Sequence, residues 1–186
     1  MALVQALFAA FGLSASAGLN AYIPLLVVAL LARYTSWLHL NPPWDTLTHG
    51  GVIAALLVLA AVEFFADKIP AVNHFNDLLQ TVVRPVAGAV VFAASTNAIG
   101  PIHPALALVA GLIVAGSVHT AKAAVVRPAV SATTGGVAHP VVSFVEDVLA
   151  LVTSVLAVVM PLVLAVLLIG TAWLVGRWWH RRAQAA

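Results

Sequence analysis

Long runs of apolar residues without charge constrain this chain more than any other feature. Residues 86–117 carry no Asp, Glu, Lys or Arg over 32 residues, and Asp147 is followed by no charged residue until Arg177. About 20 apolar residues at 1.5 Å rise per residue cross a hydrocarbon core of roughly 30 Å. Only helices or closed barrels satisfy their backbone groups in lipid, and the alternation that a barrel needs is absent. The sequence therefore predicts an all-α, polytopic membrane helical bundle, residues 1–186 forming one transmembrane domain.

The composition excludes several classes of function. Of the residues, 63% are hydrophobic and 8% charged, whereas soluble domains carry about 25% charged residues. The chain has no cysteine, which rules out disulfides and thiolate metal sites. The net charge of +2 comes without a basic patch interleaved with aromatic residues. We therefore expect no nucleic-acid partner, no cofactor and no metal, and we expect the lipid bilayer as the surroundings.

Apolar length and helix breakers divide the chain into six membrane segments. They are predicted at residues 3–33, 49–67, 85–99, 103–123, 141–159 and 161–178. The first is interrupted at "SASAGLNAYIP" and lacks the basic start of a signal peptide, so we expect a retained helix rather than a cleaved signal. A break at Met160-Pro161 must separate the last two segments, because one helix across both would be about twice as long as the membrane is thick.

The distribution of basic residues predicts which side each loop faces. With six crossings and both termini cytoplasmic, Arg33 alone falls on the outer side. Seven basic residues then fall on the cytoplasmic side: Lys68, Arg84, Lys122, Arg127, Arg177, Arg181 and Arg182. This is the asymmetry of the positive-inside rule. We expect a multi-pass protein of a bacterial inner membrane, with the N-terminus and the C-terminus both in the cytoplasm.

Polar residues interrupt the apolar runs in three islands, near residues 14–22, 63–84 and 117–147. Charges at membrane depth face the bundle interior and find partners, or they line a path for an ion or solute. We take the following residues as candidates for such a path: Asn20, Glu63, Asp67, Lys68, Asp77, Arg84, His119, Lys122, Arg127, Thr133, Thr134, Glu146 and Asp147. Ser14 and Ser16 would add neutral polar lining. Both interpretations, a structural ion-pair network and a path, remain open from the sequence.

Two copies of Val-Val-Arg-Pro lie within these islands, at residues 82–85 and 125–128. A residue before proline is disfavoured in the α region, and proline is favoured at the first position of a helix. The pattern predicts that Arg84 and Arg127 each lie just before a helix that begins at Pro85 or Pro128. An arginine at the positive end of a helix dipole calls for an acid or a bound anion nearby.

The stretches "EFFADKIPAV", "TVVRPVAGA" and "SATTGGVAHPVVSFVEDVLAL" resemble signature stretches of the bacterial membrane proteins grouped as domain of unknown function 4126. The resemblance covers nearly the whole chain. It implies a small multi-span protein of the inner membrane and brings no assigned activity. His139 stands where that family is expected to carry asparagine, so His139 is not taken as a functional group.

The short stretch between Arg127 and Pro140 has two interpretations, a re-entrant segment that returns at Gly135-Gly136 and a surface loop. The segments beginning at Ser14 and Ser131 share a Ser-Ala-[Ser/Thr]-x-Gly pattern. Broken helices at corresponding positions of two halves are a sequence pointer to a transporter site. The pattern therefore suggests an internal repeat and favours the re-entrant interpretation.

No enzyme fingerprint such as Gly-x-Ser-x-Gly, HExxH or a P-loop is present, so the sequence does not favour an enzyme. Our leading hypothesis is a transporter or channel for an unidentified small solute or ion, acting as a homodimer because one chain has few helices to enclose a path. The alternative is a non-transporting scaffold or lipid-binding protein whose charges only pair. In that case a lipid phosphate held by the arginines would be the natural ligand.

Overall fold

The computed structural model describes residues 2–67, 70–97 and 102–183. Those ranges contain helices and no β-strand, which confirms the predicted all-α class. A 3₁₀-helix (Trp44–Thr48) and a π-helical turn (Lys122–Val126) accompany the α-helices. In chain order the α-helices are α1 (Ala2–Leu19), α2 (Tyr22–Tyr34), α3 (Gly50–Ala66), α4 (Pro70–Asn97), α5 (Pro104–Ala121), α6 (Arg127–Thr134), α7 (His139–Val159) and α8 (Pro161–Ala183).

By length and composition, three stretches of the described chain can cross a membrane: Leu78–Thr96, Pro104–Thr134 and His139–Val159. Four apolar helices are shorter: Leu3–Leu19, Tyr22–Tyr34, Gly50–Ala66 and Pro161–Leu174. This pattern fits a membrane protein. The predicted segments at 49–67, 141–159 and 161–178 coincide with α3, α7 and α8. The predicted break between the last two lies at Met160, whose backbone is not helical.

The first predicted segment is two helices, and the predicted interruption is confirmed. α1 ends at Leu19 and α2 begins at Tyr22. Between them, Asn20 Oδ1 accepts hydrogen bonds from the backbone N–H groups of Tyr22 (3.1 Å) and Ile23 (3.0 Å). The first N–H groups of a helix have no partner within the helix, and a side-chain amide oxygen is a favoured cap for them. Asn20 therefore starts α2.

The chain also reverses at Asn20, so the prediction of one crossing over 3–33 is wrong. α1 packs antiparallel to α7, with Gly12 near Ala157, Ser16 bonded to Ala150, and Asn20 bonded to Asp147. After α2 the chain returns to the level of α1's first half, where Trp44 packs in one cluster with Ala10. The cap at Asn20 allows the reversal because it satisfies the new helix start. The prediction of a cytoplasmic N-terminus rests on six crossings, so it no longer follows from the segment count. The side that each terminus faces stays a prediction.

The first Val-Val-Arg-Pro copy does not begin a helix, contrary to the prediction. α4 runs from Pro70 to Asn97 with Pro85 in its interior, so Arg84 lies mid-helix. An interior proline removes one ladder hydrogen bond, but membrane helices tolerate this because neighbouring groups compensate. Contacts on both sides of Pro85 hold the helix here, since Arg84 binds α3 and Gly88 packs against α5.

The second copy lies at a change of helix type. α5 continues through the π turn Lys122–Val126 into α6, which begins at Arg127. Pro128 has no N–H to continue the α ladder, and a π turn adds one residue. In an uninterrupted α-helix Val126 would lie two turns after His119 on the same face. Because the π turn contains one extra residue, Arg127 lies at that position instead. The predicted start at Pro128 is thus a helix junction rather than a loop-to-helix boundary.

The stretch after Arg127 contains a helix followed by a tight turn. α6 ends at Thr134, and Gly135 and Gly136 have φ of 62° and 87°. This left-handed backbone is accessible to glycine at little cost, which explains why the chain turns at the predicted pair. Whether α6 enters a membrane stays a prediction.

Glycines allow α1, α4 and α5 to meet closely around Ser14. We call the end of the bundle at Asn20 its lower end, and Ser14 lies between one and two helical turns above Asn20. A Cβ on Gly111 would fall on the carbonyl oxygen of Gly88, so neither position has room for a side chain. Ser14 Oγ lies between the two backbones, 2.8 Å from Gly111 O and 3.1 Å from Gly88 O. Small residues and a buried hydroxyl are the usual means of packing helices in membranes.

Candidate functional site: a buried cluster of charged residues

Below this glycine packing, polar side chains from six helical elements meet in one place. We call the buried cluster the following residues, each at most 8% exposed: Asn20, Glu63, Asp67, Asn76, Gln80, Arg84, His119, Lys122, Ser143, Glu146 and Asp147. They come from the ends of α1 and α3, the middle of α4, the end of α5 with the π turn, and the first half of α7. The structure thus brings the three predicted polar islands together.

Arg84 lies at the centre of the buried cluster with 0% of its surface exposed. Its Nη2 donates to Glu63 Oε1 at 2.9 Å and lies 3.4 Å from Asp67 Oδ2, and its Nε donates to Glu63 Oε1 at 3.3 Å. The prediction that this arginine pairs with acids is therefore confirmed. A buried guanidinium with two carboxylates is stable only while its partners remain.

His119 links Arg84 to the polar face of α4. Its Nδ1 lies 3.4 Å from Arg84 Nη1, and its Nε2 lies 3.2 Å from Thr81 Oγ1. A guanidinium can only donate, so Nδ1 accepts and the ring proton is assigned to Nε2, where it is donated to Thr81. The imidazole is therefore neutral in this arrangement and orients Arg84 from the side opposite Glu63.

Asp67 has hydrogen-bond donors on both of its carboxylate oxygens. Oδ1 accepts from Asn76 Nδ2 at 2.7 Å, while Oδ2 accepts from Ser143 Oγ and Arg84 Nη2, each at 3.4 Å. Asp67 therefore joins α3, α4 and α7.

The side chain of Lys122, from the π turn, lies at the C-terminal end of α1. Its Nζ lies 2.6 Å from Glu146 Oε2 and donates to the carbonyl oxygen of Leu19 at 3.3 Å. Leu19 is the last residue of α1, whose terminal carbonyls carry partial negative charge and no helical partner. The lysine thus satisfies a helix end that is buried inside the bundle.

Asn20 connects the other side of the same break to α7. Its Nδ2 donates to Asp147 Oδ1 at 3.0 Å while its Oδ1 caps α2. One turn above, Ser16 Oγ donates to Ala150 O and Ser154 Oγ lies 2.7 Å from it. These polar contacts hold the broken helix to α7 near the break, and Gly12 packs against Ala157 further up the same pair of helices.

Five predicted path residues, Arg127 among them, are not members of the buried cluster. Thr133 and Thr134 are exposed and bond carbonyl oxygens of their own helix. Lys68 lies outside the described residues, as does the side chain of Asp77. The two serines of the repeat pattern lie in different surroundings, because Ser14 is buried whereas Ser131 is exposed and contacts His139 Nε2. The internal repeat itself stays a prediction.

Arg127 is half-buried and lines a small cleft at the rim of the buried cluster. The cleft is also lined by Asp67, His139, Ser143 and Glu146, and its volume of about 10 Å³ leaves room for about one water molecule. The arginine therefore lies near acids of the cluster without entering its centre. In the part of the chain that the structure describes, no group of three or more His, Asp or Glu side chains is arranged to hold a metal ion.

The set of predicted path residues omitted Asn76, Gln80 and Ser143. Asn76, Gln80 and Arg84 follow each other at intervals of four, so they share one helix face. The spacing is informative only if α4 includes the residues before Pro85. The sequence pattern does not favour this, because a residue before proline is disfavoured in the α region. Ser143 has no comparable signal, because a single serine in an apolar helix most often bonds its own backbone.

The fold and the cluster define an all-α protein with membrane-type helices and a buried charged site. The chain matches the family model described as Domain of unknown function (DUF4126) over residues 7–181, and it belongs to that family. No curated protein and no solved structure matches the chain.

Proposed function

We propose that the protein moves a small solute or ion across the membrane and that the buried cluster is its binding site. The observation that carries this proposal is the break between α1 and α2, where two helix ends and several charges are buried together. Broken helices with such ends in the bundle interior are typical of the sites of transporters. A purely structural core rarely buries so many charges, because each costs about 2.5–3.5 kcal/mol at membrane depth on insertion scales.

The two helix ends have complementary electrostatic character. The carbonyl end of α1 is occupied by Lys122, and the amide end of α2 by Asn20, which is bonded to Asp147. A solute or ion that displaced either side chain would find backbone groups ready to bind it, carbonyls for a cation and N–H groups for an anion. The site therefore suits a small charged or zwitterionic solute.

The proposal includes a homodimer, in which a second molecule of the protein helps to form the path. A single copy has few helices with which to surround a path, so we propose that the protein acts as a homodimer in the bacterial inner membrane. The mass of the detergent-solubilised protein, measured by native mass spectrometry with bound lipid removed, tests this. A mass of one chain at all protein concentrations would contradict it.

Transport itself is testable in liposomes that contain the purified protein. The probes are Na⁺, K⁺, chloride, inorganic phosphate and a mixture of the standard amino acids, each measured as uptake against empty liposomes. We expect at least one probe to accumulate with the wild type and not with Asp147→Asn, which keeps the size of the side chain and an acceptor oxygen. Ser117→Ala is the matched control, since Ser117 is exposed and bonds only Ile113 O of its own helix.

The alternative, a scaffold or lipid-binding protein, is favoured by one observation. The charges of the cluster are mutually paired, and the cleft at Arg127 is small. In that case no probe moves with the wild type, and Asp147→Asn lowers the melting temperature. This result would overturn the proposed transport function.

A further inference from the structure

Two buried oxygen atoms of the cluster have no hydrogen-bond partner in the described part of the chain. They are Glu63 Oε2 and Gln80 Oε1, on side chains that are 1% and 3% exposed. A buried acceptor without a donor costs about 1–3 kcal/mol, and more if it is charged. Glu63 is bonded to Arg84, and Gln80 lies one helical turn from Arg84 on α4, so a single donor placed between the two side chains would satisfy both atoms.

Gln80 lies on α4 between two residues that bind acids at the end of α3. It is one helical turn from Asn76, which binds Asp67, and one turn from Arg84, which binds Glu63. Residues four apart share a helix face. The amide of Gln80 is therefore on the face of α4 that is turned toward α3.

The two carboxylates beside Arg84 are not equivalent. Asp67 has a donor on each oxygen, whereas Glu63 receives both of its hydrogen bonds from Arg84 on Oε1 and none on Oε2. Donors on a carboxylate favour its charged form, and a dry surrounding disfavours it. Of the pair, Glu63 is the carboxyl suited to hold a proton.

Charge balance points the same way. The groups that act on Glu63 are Tyr22 on α2, Arg84 on α4, Lys122 on the π turn and Asp67 at the end of its own helix. His119 on α5 faces Arg84 as a neutral ring, and Glu146 on α7 faces Lys122. Among the side chains that the structure describes, and with Arg127 at the rim included, a neutral Glu63 leaves the three cations Arg84, Lys122 and Arg127 against the three carboxylates Asp67, Glu146 and Asp147.

We propose that Glu63 is a proton-binding site, at which Oε2 takes up a proton and donates it as an O–H hydrogen bond to Gln80 Oε1. One proton then satisfies both orphaned oxygens, while Glu63 Oε1 continues to accept from Arg84. The proton comes from water and returns to water, so the neutral acid and its carboxylate interconvert with no other bond changed. The cleft lined by Asp67 and Arg127 has room for about one water, and Asp67 shares Arg84 with Glu63.

The role of this proton as a coupling ion rests on the proposed transport function, whereas the binding of the proton to Glu63 does not. Protonation of Glu63 breaks the charge attraction to Arg84 without removing the hydrogen bonds. Release of the proton leaves a net negative charge in the cluster, which a cationic group of a solute can neutralise. The site thus exchanges a proton for a cationic group.

Infrared spectroscopy of the full-length protein in lipid tests proton binding directly. We expect the wild type at neutral pH to show the C=O stretch of a protonated carboxylic acid, and this band to disappear as the pH is raised. Glu63→Gln should lose the band and keep the fold, because glutamine resembles the neutral acid. Gln80→Leu should keep the band and shift it to higher frequency, because the hydrogen bond to the amide is lost.

Controls make each outcome decisive. Asp45→Asn removes a carboxyl of the 3₁₀-helix, outside the buried cluster, and should leave the band in place. Glu63→Asp should move the band, should the glutamine variant not fold. Absence of the band in the wild type at neutral pH, or its persistence in Glu63→Gln, would overturn the proposal. A band that behaves as expected in a protein that moves no probe would support the proton site and overturn transport alone.

Discussion

The two Val-Val-Arg-Pro copies have the same four residues and hold their arginines in different surroundings. Arg84 is fully buried in the interior of α4, between Glu63, Asp67 and His119. Arg127 is half-buried at the junction of the π turn and α6, beside a small cleft. The motif alone therefore does not determine the role of the arginine.

The neighbouring helices explain the difference. α3 ends at Ala66, so Glu63 and Asp67 lie at the level that Arg84 reaches from α4. On the other helix, the turn Lys122–Val126 places Lys122 against Glu146, and the arginine that follows reaches only the rim. The same four residues thus give a buried ion pair in one place and a half-exposed arginine in the other, because the acids available on the neighbouring helices differ.

Neutralising the two arginines gives the largest expected contrast. Arg84→Gln leaves Asp67 buried without its cation and Glu63 without the Nε and Nη2 donors of the arginine, which costs roughly 3–5 kcal/mol of stability. Arg127→Gln changes a half-exposed group and should cost no more than about 1 kcal/mol. Thermal unfolding in one detergent, followed by circular dichroism, measures both. Equal losses of stability in the two variants would contradict the distinction between the two motif copies.

Exchanging each arginine for lysine sharpens the same contrast. Lysine keeps the charge but cannot reproduce the donors that Nε, Nη1 and Nη2 of Arg84 direct at Glu63, Asp67 and His119. Since hydrogen bonds to charged groups contribute about 1.5–3 kcal/mol each, Arg84→Lys should remain clearly destabilised, and Arg127→Lys should be nearly neutral. A melting temperature of Arg84→Lys equal to that of the wild type would show that only the charge matters.

The serines of the apparent repeat give the smallest contrast. Ser14→Ala removes a buried hydroxyl that contacts the carbonyls of Gly88 and Gly111, at a cost of about 1–3 kcal/mol. Ser131→Ala changes an exposed hydroxyl and should stay within about 0.5 kcal/mol of the wild type. Chemical unfolding of the two variants in parallel checks this order. If Ser131→Ala proved the more damaging, the two positions would be equivalent after all and the repeat would regain support.

Features that depend on local composition were predictable from the sequence. Apolar length located α3 and α7, and the Gly-Asn-Pro content of residues 18–24 located the break at Asn20. The balance of acids and bases indicated that they pair. Hydrophobicity and breakers act over one or two turns, so a single sequence carries this information.

Features that depend on distant contacts were not predictable. Glu63 and Arg84 are 21 residues apart, and several acids could have served as the arginine's partner. The continuity of α4 through Pro85 follows from contacts on both sides of the proline, which override its local preference. The reversal at Asn20 likewise depends on Asp147 and Lys122, far along the chain.

Charge movement after a pH step tests the central claim, that the Glu63–Arg84 cluster is a working site rather than a structural clamp. Protein in liposomes adsorbed to a solid-supported membrane is first held at an alkaline pH at which the infrared band of Glu63 is absent. It is then exposed to a sudden drop to neutral pH, and the current is recorded. We predict a current with the wild type and with Ser117→Ala, and none with Glu63→Gln, whose melting temperature stays near that of the wild type. No current above empty liposomes with the wild type, or the same current with Glu63→Gln, would contradict the account.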